Sequence, residues 1–269
     1  MSRVLPLIRP CGPRLDDDHF PARMGSIVFL TSYCWEGAVL LKGLLDPRVG
    51  LTDLVIQRPW WGRHSFTRSR LRFTLKGWRF NAVPGKPRRY YSLERTARHG
   101  GLGIHYIDDI NASGMQWQQD KIRLIIVAGS RIIKPPVVAR FHGRVVNFHS
   151  GLLPHYRGPY SEFWAMYHER PDLISSSVHI IDDGIDTGPL LATCAARLPA
   201  GPLTPQDAHH LNVLQAVPVV ADTISGYLRG EIIPVPQPPG GATYRHPYSE
   251  ELATMITRVD RRFRVDFIE

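Results

Sequence analysis

The sequence predicts an α/β fold: a Rossmann-like, mostly parallel sheet with helices on both faces, plus a small C-terminal appendage. Three observations carry this. Lys121–Ala128 reads KIRLIIVA, a continuous aliphatic run stopped by Gly129, as expected of a strand buried on both faces. Short runs of this kind alternate with helix-patterned segments, which predicts right-handed βαβ units. The chain has 269 residues, 43% hydrophobic and 21% charged, enough for one sizeable core.

Taken in order, residues 1–23 are expected to be a disordered leader. They contain Pro6, Pro10, Pro13 and three consecutive aspartates from Asp16, without the apolar core of a secretory signal. Met24, directly before an apolar run, is an alternative start. Residues 26–31 form the first expected strand and 36–45 a helix. Strands follow at 51–57 and 103–107, and a helix near 111–119. After strand 121–128 come a short helix at 135–141, a strand at 144–148, a helix at 162–168 and a strand at 176–181. Residues 205–229 read as a long helical stretch interrupted by Pro218. Residues 230–269 are Pro-rich, then charged, and read as an extended tail. The expected organisation is thus 24–200 as the main domain, with 201–269 as C-terminal helix and tail.

The net charge is +9, but it is local. Residues 58–100 hold twelve Lys and Arg against Glu94 alone, so the rest of the chain is near neutral. No apolar run approaches the roughly 18–20 residues of a membrane span. Three dispersed cysteines (Cys11, Cys34, Cys194) argue against a disulfide framework or a cysteine metal site, and a cytoplasmic setting is expected. The turn Thr31–Gly37 is neither G-x-G-x-x-G nor a Walker loop, so neither NAD nor ATP is predicted.

The densest polar cluster runs from Asn147 through His149 and Ser150 to Gly158, just past the fifth strand. Open α/β sheets bind ligands at strand carboxyl ends, and period-two spacing puts Asn147 and His149 on one face. An amide and an imidazole there suit an oxyanion donor and a general acid/base for acyl transfer, or else simply satisfy a loop. A second cluster holds His179, Asp182, Asp183 and Asp186. Three carboxylates in five residues could ligate a metal, but the intervening residues equally suit a tight turn, and no metal is expected. Asp186 is a candidate partner that orients a histidine.

Asn147-x-His149-Ser150-x-Leu-Leu-Pro154-x-x-Arg157-Gly158 resembles the signature of the folate-dependent formyltransferase family, with Ser150 and Gly151 where members more often carry Pro or Gly and then Ser. His179 followed seven residues on by Asp186, then Gly188, is similar to the family's second block, and Val127–Ile133 to the loop bordering the folate pterin. The resemblance spans roughly 25–200. It implies Asn147, His149 and Asp186 as the catalytic set, 10-formyltetrahydrofolate as donor and a primary amine or hydroxylamine as acceptor. It also implies pterin-binding backbone around Arg131, Ile132, Ile133, Ile181, Asp182 and Asp183. His155, Tyr156 and Arg157 are candidates for acceptor contact. A packing or hydrogen-bonding role suits His179 as well as a catalytic one, and His168 reads as a surface residue. A homodimer is the expected assembly.

Within that family, residues 31–37 lack the Gly/Ser-rich phosphate loop of glycinamide ribonucleotide enzymes. The roughly 70 residues after position 200 do not suggest the C-terminal barrel of methionyl-tRNA enzymes. The tail Gln237–Tyr244 looks similar to that of sugar N-formyltransferases, which favours an amino sugar. Formyltetrahydrofolate hydrolysis stays open, as does a non-catalytic protein with a nucleic-acid-binding basic arm. The basic segment 58–100, interleaved with Trp60, Trp61, Phe66, Phe73, Tyr90 and Tyr91, reads as a solvated insertion, a membrane- or nucleic-acid-facing surface, or a recruiter of an anionic acceptor. On the last reading, replacing Arg68, Arg72, Lys76 and Arg79 by Gln raises the acceptor KM and leaves the folate KM alone. Unchanged acceptor kinetics would overturn it.

Overall fold

The computed structural model describes residues 19–20, 24–58, 92–112, 116–141, 143–200 and 203–258. The expected leader and most of the basic segment lie outside the described residues. A seven-stranded sheet forms the centre: β1 (Ser26–Ser32), β2 (Asp53–Gln57), β3 (Gly103–Ile107), β4 (Ile122–Ala128), β5 (Val145–His149), β6 (Ser175–Ile180) and β7 (Leu190–Ala195). Its order is β7-β6-β5-β4-β1-β2-β3. β1 to β5 pair in parallel, whereas β6 and β7 run antiparallel at one edge. The chain winds one way from β1 to β3 and the other way from β4, so the strand order reverses between β1 and β4. A crevice opens at such a switch point, outside the strand carboxyl ends.

The helices are α1 (Trp35–Leu44), α2 (Leu93–His99), α3 (Pro135–Phe141), α4 (Ser161–Tyr167), α5 (Pro205–Leu228) and α6 (Ser249–Arg258). Strand residues point alternately to the two faces. Phe29, Leu54, Ile56, Leu124 and Ile126 pack with α1, α2 and α5 on one side. Val28, Leu30, Val55, Ile125 and Val127 pack with Val137, Val138 and Phe141 of α3 on the other. The expected α/β fold with helices on both faces is therefore the observed one.

Four local expectations are corrected. Among the described residues of 111–119, no helix forms. The Asp109 carboxylate accepts from the Asn111 backbone N–H at 3.0 Å, an Asx turn, and Gln116–Trp117 pair in parallel with His19–Phe20. Pro218 does not interrupt α5, which runs unbroken through it. Its buried face, Val213, Ala216, Val220, Ala221 and Ile224, packs into the core and offsets the lost backbone bond. Residues 249–258 are helical rather than extended, and Met255 of α6 is buried against the Tyr156/Phe163/Trp164 cluster. Finally, β7 was not expected; it is a half-buried edge strand with little periodic signal.

Between α5 and α6 the chain runs extended across the site. Val235 bridges Leu190, and Ala242–Thr243 pair in parallel with Tyr156–Arg157. Phe29 is fully buried in the larger core. Phe29→Ala is expected to destabilise the fold by about 3–5 kcal/mol, read as a lowered denaturant midpoint with unchanged m-value.

Candidate functional site

A cavity of about 1000 Å³ lies at the carboxyl ends of the strands. Its lining includes Glu36 from α1, Arg131–Lys134 after β4, Asn147 and His149 at the end of β5, Glu162 of α4, His179, Asp186 and His209. The switch point of the sheet and the polar cluster read from the sequence thus coincide.

The polar groups converge on Asp186. One carboxylate oxygen lies 3.6 Å from His149 Nδ1 and accepts from the Gly158 N–H at 2.9 Å. The other lies 3.3 Å from His179 Nε2 and 3.4 Å from the Asn147 amide nitrogen. Burial by itself would raise this carboxyl's pKa; the His179 hydrogen bond, the His149 and His179 charges and the Gly158 N–H outweigh it and hold the group well below the usual carboxylate range. Asp186 has φ 53°, the left-handed region that an aspartate tolerates better than most residues.

Each histidine has one nitrogen committed. His149 Nε2 donates to the Tyr156 carbonyl at 2.7 Å, with Ser161 Oγ 3.3 Å away, so Nδ1 is the nitrogen left facing Asp186. His179 Nδ1 donates to the Ile180 carbonyl at 2.9 Å. The Asn147 amide nitrogen sits 3.1 Å from His179 Nε2 as well as facing Asp186.

Two glycines of the signature loop have steric reasons. A Cβ on Gly151 would lie 2.4 Å from His149 Nε2 and from Ser161 Oγ, so the Ser161 hydroxyl occupies the space a side chain at 151 would need. Gly158 has φ 84°, and a Cβ there would meet the Tyr244 carbonyl at 2.3 Å. The tail contributes as well. Gln237 donates from Nε2 to the carbonyls of Asp186 and Gly188, both at 2.8 Å, and accepts from Arg157 at 3.1 Å.

Of the residues expected at the pterin, Arg131, Ile132, Ile133 and Ile181 line the cavity. Asn111 brackets that loop, donating to the Ile132 carbonyl at 3.0 Å and accepting from the Lys134 N–H at 2.8 Å. Asp182 and Asp183 are not among the lining residues. Asp182 instead accepts from Thr187 Oγ1 at 2.7 Å and the Gly184 N–H at 3.1 Å, closing a turn. His155, Tyr156 and Arg157 do not line this cavity either. His155 and Tyr156 border a separate depression of about 390 Å³, where Tyr156 stacks on Tyr244 and His168. Among the described residues, no group of three or more His, Cys, Asp or Glu is arranged to hold a metal ion, and no helix is long and apolar enough to cross a membrane.

Sequence reading missed a second polar cluster on the same wall: Glu36, Glu162, His209 and Asn212. His209 Nδ1 lies 3.0 Å from Glu162 Oε1, to which Asn212 also donates at 2.9 Å. His209 Nε2 lies 3.9 Å from Glu36. Burial raises Glu36 to about 7, with His209 opposing and Glu162 adding to the rise. Burial would lower His209, but the two carboxylates lift it to about 9. No motif spacing joins these residues; only the fold brings 36, 162 and 209 together.

Comparison with known proteins bears out the resemblance read from the motifs. Residues 111–202 match the formyl transferase family model, a span holding β4, β5, Asn147, His149, His179 and Asp186. The methionyl-tRNA formyltransferase of Sorangium cellulosum is 31% identical over 142 residues, which is 52% of this chain and 42% of that protein. The chain therefore spans less than half the length of that relative. In fold, it is similar to a 4-N formyltransferase from Francisella tularensis (TM-score 0.57, 15% identity, 92% and 84% of the two chains). It is likewise similar to a formyltransferase from Anoxybacillus kamchatkensis in complex with UDP-4,6-dideoxy-4-formamido-L-AltNAc and tetrahydrofolate (TM-score 0.50, 18% identity, 82% and 85%).

The Asp186 network has a pH signature. Its carboxyl is depressed in the folded state, so it contributes stability above the ordinary value of 3.8, lost as pH falls through the lower folded value. Asp186→Asn should melt earlier than the wild type at pH 7, and the gap should narrow below about pH 4. A gap independent of pH in a melting series would refute this.

Proposed function

We propose that this chain, whose residues 111–202 match the formyl transferase family, transfers a formyl group from 10-formyltetrahydrofolate to a primary amine of a small-molecule acceptor, an amino sugar. The observation that carries the reading is the convergence of Asn147, His149 and His179 on Asp186 at the edge of one cavity large enough for two ligands. Folds similar to this one include sugar-nucleotide enzymes crystallised with folates, which supports both donor and acceptor class.

The acceptor nitrogen attacks the formyl carbon, and negative charge develops on the formyl oxygen. The Asn147 amide, its NH2 turned to the cavity, and the Nδ1 edge of His149 stabilise that oxygen. His149 Nδ1 takes the proton of the attacking amine, faces the formyl oxygen in that protonated form, and passes the proton to the folate nitrogen as the carbon–N10 bond breaks. Asp186 stays ionised throughout and holds the His149 ring in place beside the reacting atoms. Arg131–Ile133 and Ile181 lie along the donor side of the cavity. Gln237 acts as a positioning residue by fixing the Asp186 backbone.

The test is a panel of amino sugars and other primary amines with 10-formyltetrahydrofolate, read as the mass shift of the acceptor. His149→Ala and Asp186→Asn are expected to lower turnover by about 10²–10³. Gln237→Ala should cost about 10² in kcat through misplacement of Asp186, with little change in folate KM. If wild type and His149→Ala formylate every amine at the same rate, the transferase reading fails. Tetrahydrofolate release that ignores the acceptor would favour the hydrolase.

A further inference from the structure

The Glu36/Glu162/His209 cluster is not used by this chemistry, although it lines the same cavity. Its charges do not balance internally. Glu162 is 4% exposed and its carboxylate is matched by His209 at 3.0 Å and by Asn212 at 2.9 Å. The His209–Glu162 pair is neutral as a unit, since burial is outweighed at both ends, by His209 and Asn212 for Glu162 and by the two carboxylates for His209, so that both groups stay ionised. Glu36 is the odd member. Its side chain is 16% exposed, it makes no hydrogen bond to another described residue, and the nearest cationic nitrogen is 3.9 Å away, past hydrogen-bonding reach. A desolvated carboxylate without a donor is costly, and either a proton or a cationic ligand relieves that cost.

The groups packed around it reinforce the point. From its own helix start comes Cys34, a half-buried thiol pushed up to about 11 and therefore neutral, so it offers Glu36 no counter-charge. From α4 comes Glu162 and from α5 His209; His210, its neighbour, packs on the Trp35 ring at 4.3 Å. No Lys or Arg from these elements lines the cavity. The wall is thus acidic at the turn after β1.

Resting on the formyltransferase reading, we infer that Glu36 is the counter-ion for a cationic acceptor: the substrate's amine enters as its ammonium, is seated against Glu36 flanked by the Glu162–His209 pair, and gives up one proton to solvent before its nitrogen attacks the formyl carbon. The cavity then selects amines by charge and disfavours an anionic group at this wall.

The linkage has a sign. Glu36 keeps a proton in the free protein until about pH 7, and a bound ammonium displaces it, so affinity for the cation climbs as pH rises through that value. The experiment takes the best acceptor from the amine panel and its hydroxyl analogue, in which OH replaces NH2. Both are titrated calorimetrically into full-length wild type and Glu36→Gln without donor, at pH 6 and pH 8. Expected is amine binding that weakens about tenfold or more in Glu36→Gln at pH 8, with hydroxyl-analogue binding and folate KM unchanged. Wild type should also release a proton on amine binding near pH 6–7, seen as a buffer-dependent enthalpy, and Glu36→Gln should not. Equal losses for both analogues, or proton release that survives in Glu36→Gln, would overturn the assignment while leaving the transferase reading intact. A panel in which no amine is formylated would remove that reading first, and this one with it.

Discussion

Every part of the site depends on the placement of one partly buried carboxylate. Asp186 sits in a left-handed turn after β6, where its two oxygens face a histidine from β5, a histidine from β6, an asparagine from β5 and a backbone N–H from the signature loop. A charge in that position is tolerable only because each neighbour offers a donor or a positive edge. The constraint acts in both directions. The donors hold the carboxylate ionised, and the carboxylate fixes how the two imidazoles and the amide are aimed.

The signature loop and the tail are shaped by this requirement. Gly158 can bring its N–H to Asp186 because it has no Cβ to strike the Tyr244 carbonyl. Tyr244 is held there by Ala242–Thr243 pairing on Tyr156–Arg157. Gln237 reaches back to the Asp186 carbonyl and ties Arg157 to the same knot. The extended segment after α5 therefore closes the Asp186 turn from behind, although it lies beyond the residues that match the family model. At the opposite wall, a second set of buried charges sets the character of the cavity, with Glu36 presented by the first turn of α1.

Much of this was legible in sequence. Aliphatic runs marked β1, β2, β4 and β5 because parallel strands buried on both faces admit little else. Asn147, His149 and Asp186 were legible because their motif spacing places them at strand ends. Other features were not. Asn111 looked like a helix start, yet its amide brackets the 131–134 loop. Asp182 looked like a ligand residue, yet it closes a turn on Thr187. His155, Tyr156 and Arg157 belong to the motif in sequence, but none lines the cavity: Tyr156 stacks in an aromatic cluster, Arg157 meets Gln237 and His155 is exposed. Adjacency in sequence says little about which way a loop side chain faces.

The net charge of +9 is concentrated in residues 58–100, whereas the described cavity is lined by Glu36, Asp109, Glu162 and Asp186 beside Arg131 and Lys134. By itself the sequence determined the α/β class, the positions of the principal strands along the chain and the catalytic candidates, because hydrophobic period and motif spacing are local properties of a chain. Only the tertiary structure decided that Glu36, Glu162 and His209 share one wall, that Gln237 holds Asp186, and that Ser161 takes the space at Gly151. Those contacts join residues tens of positions apart, and their energies come from desolvation and hydrogen-bond geometry that exist only once the sheet and its covering helices have closed around them.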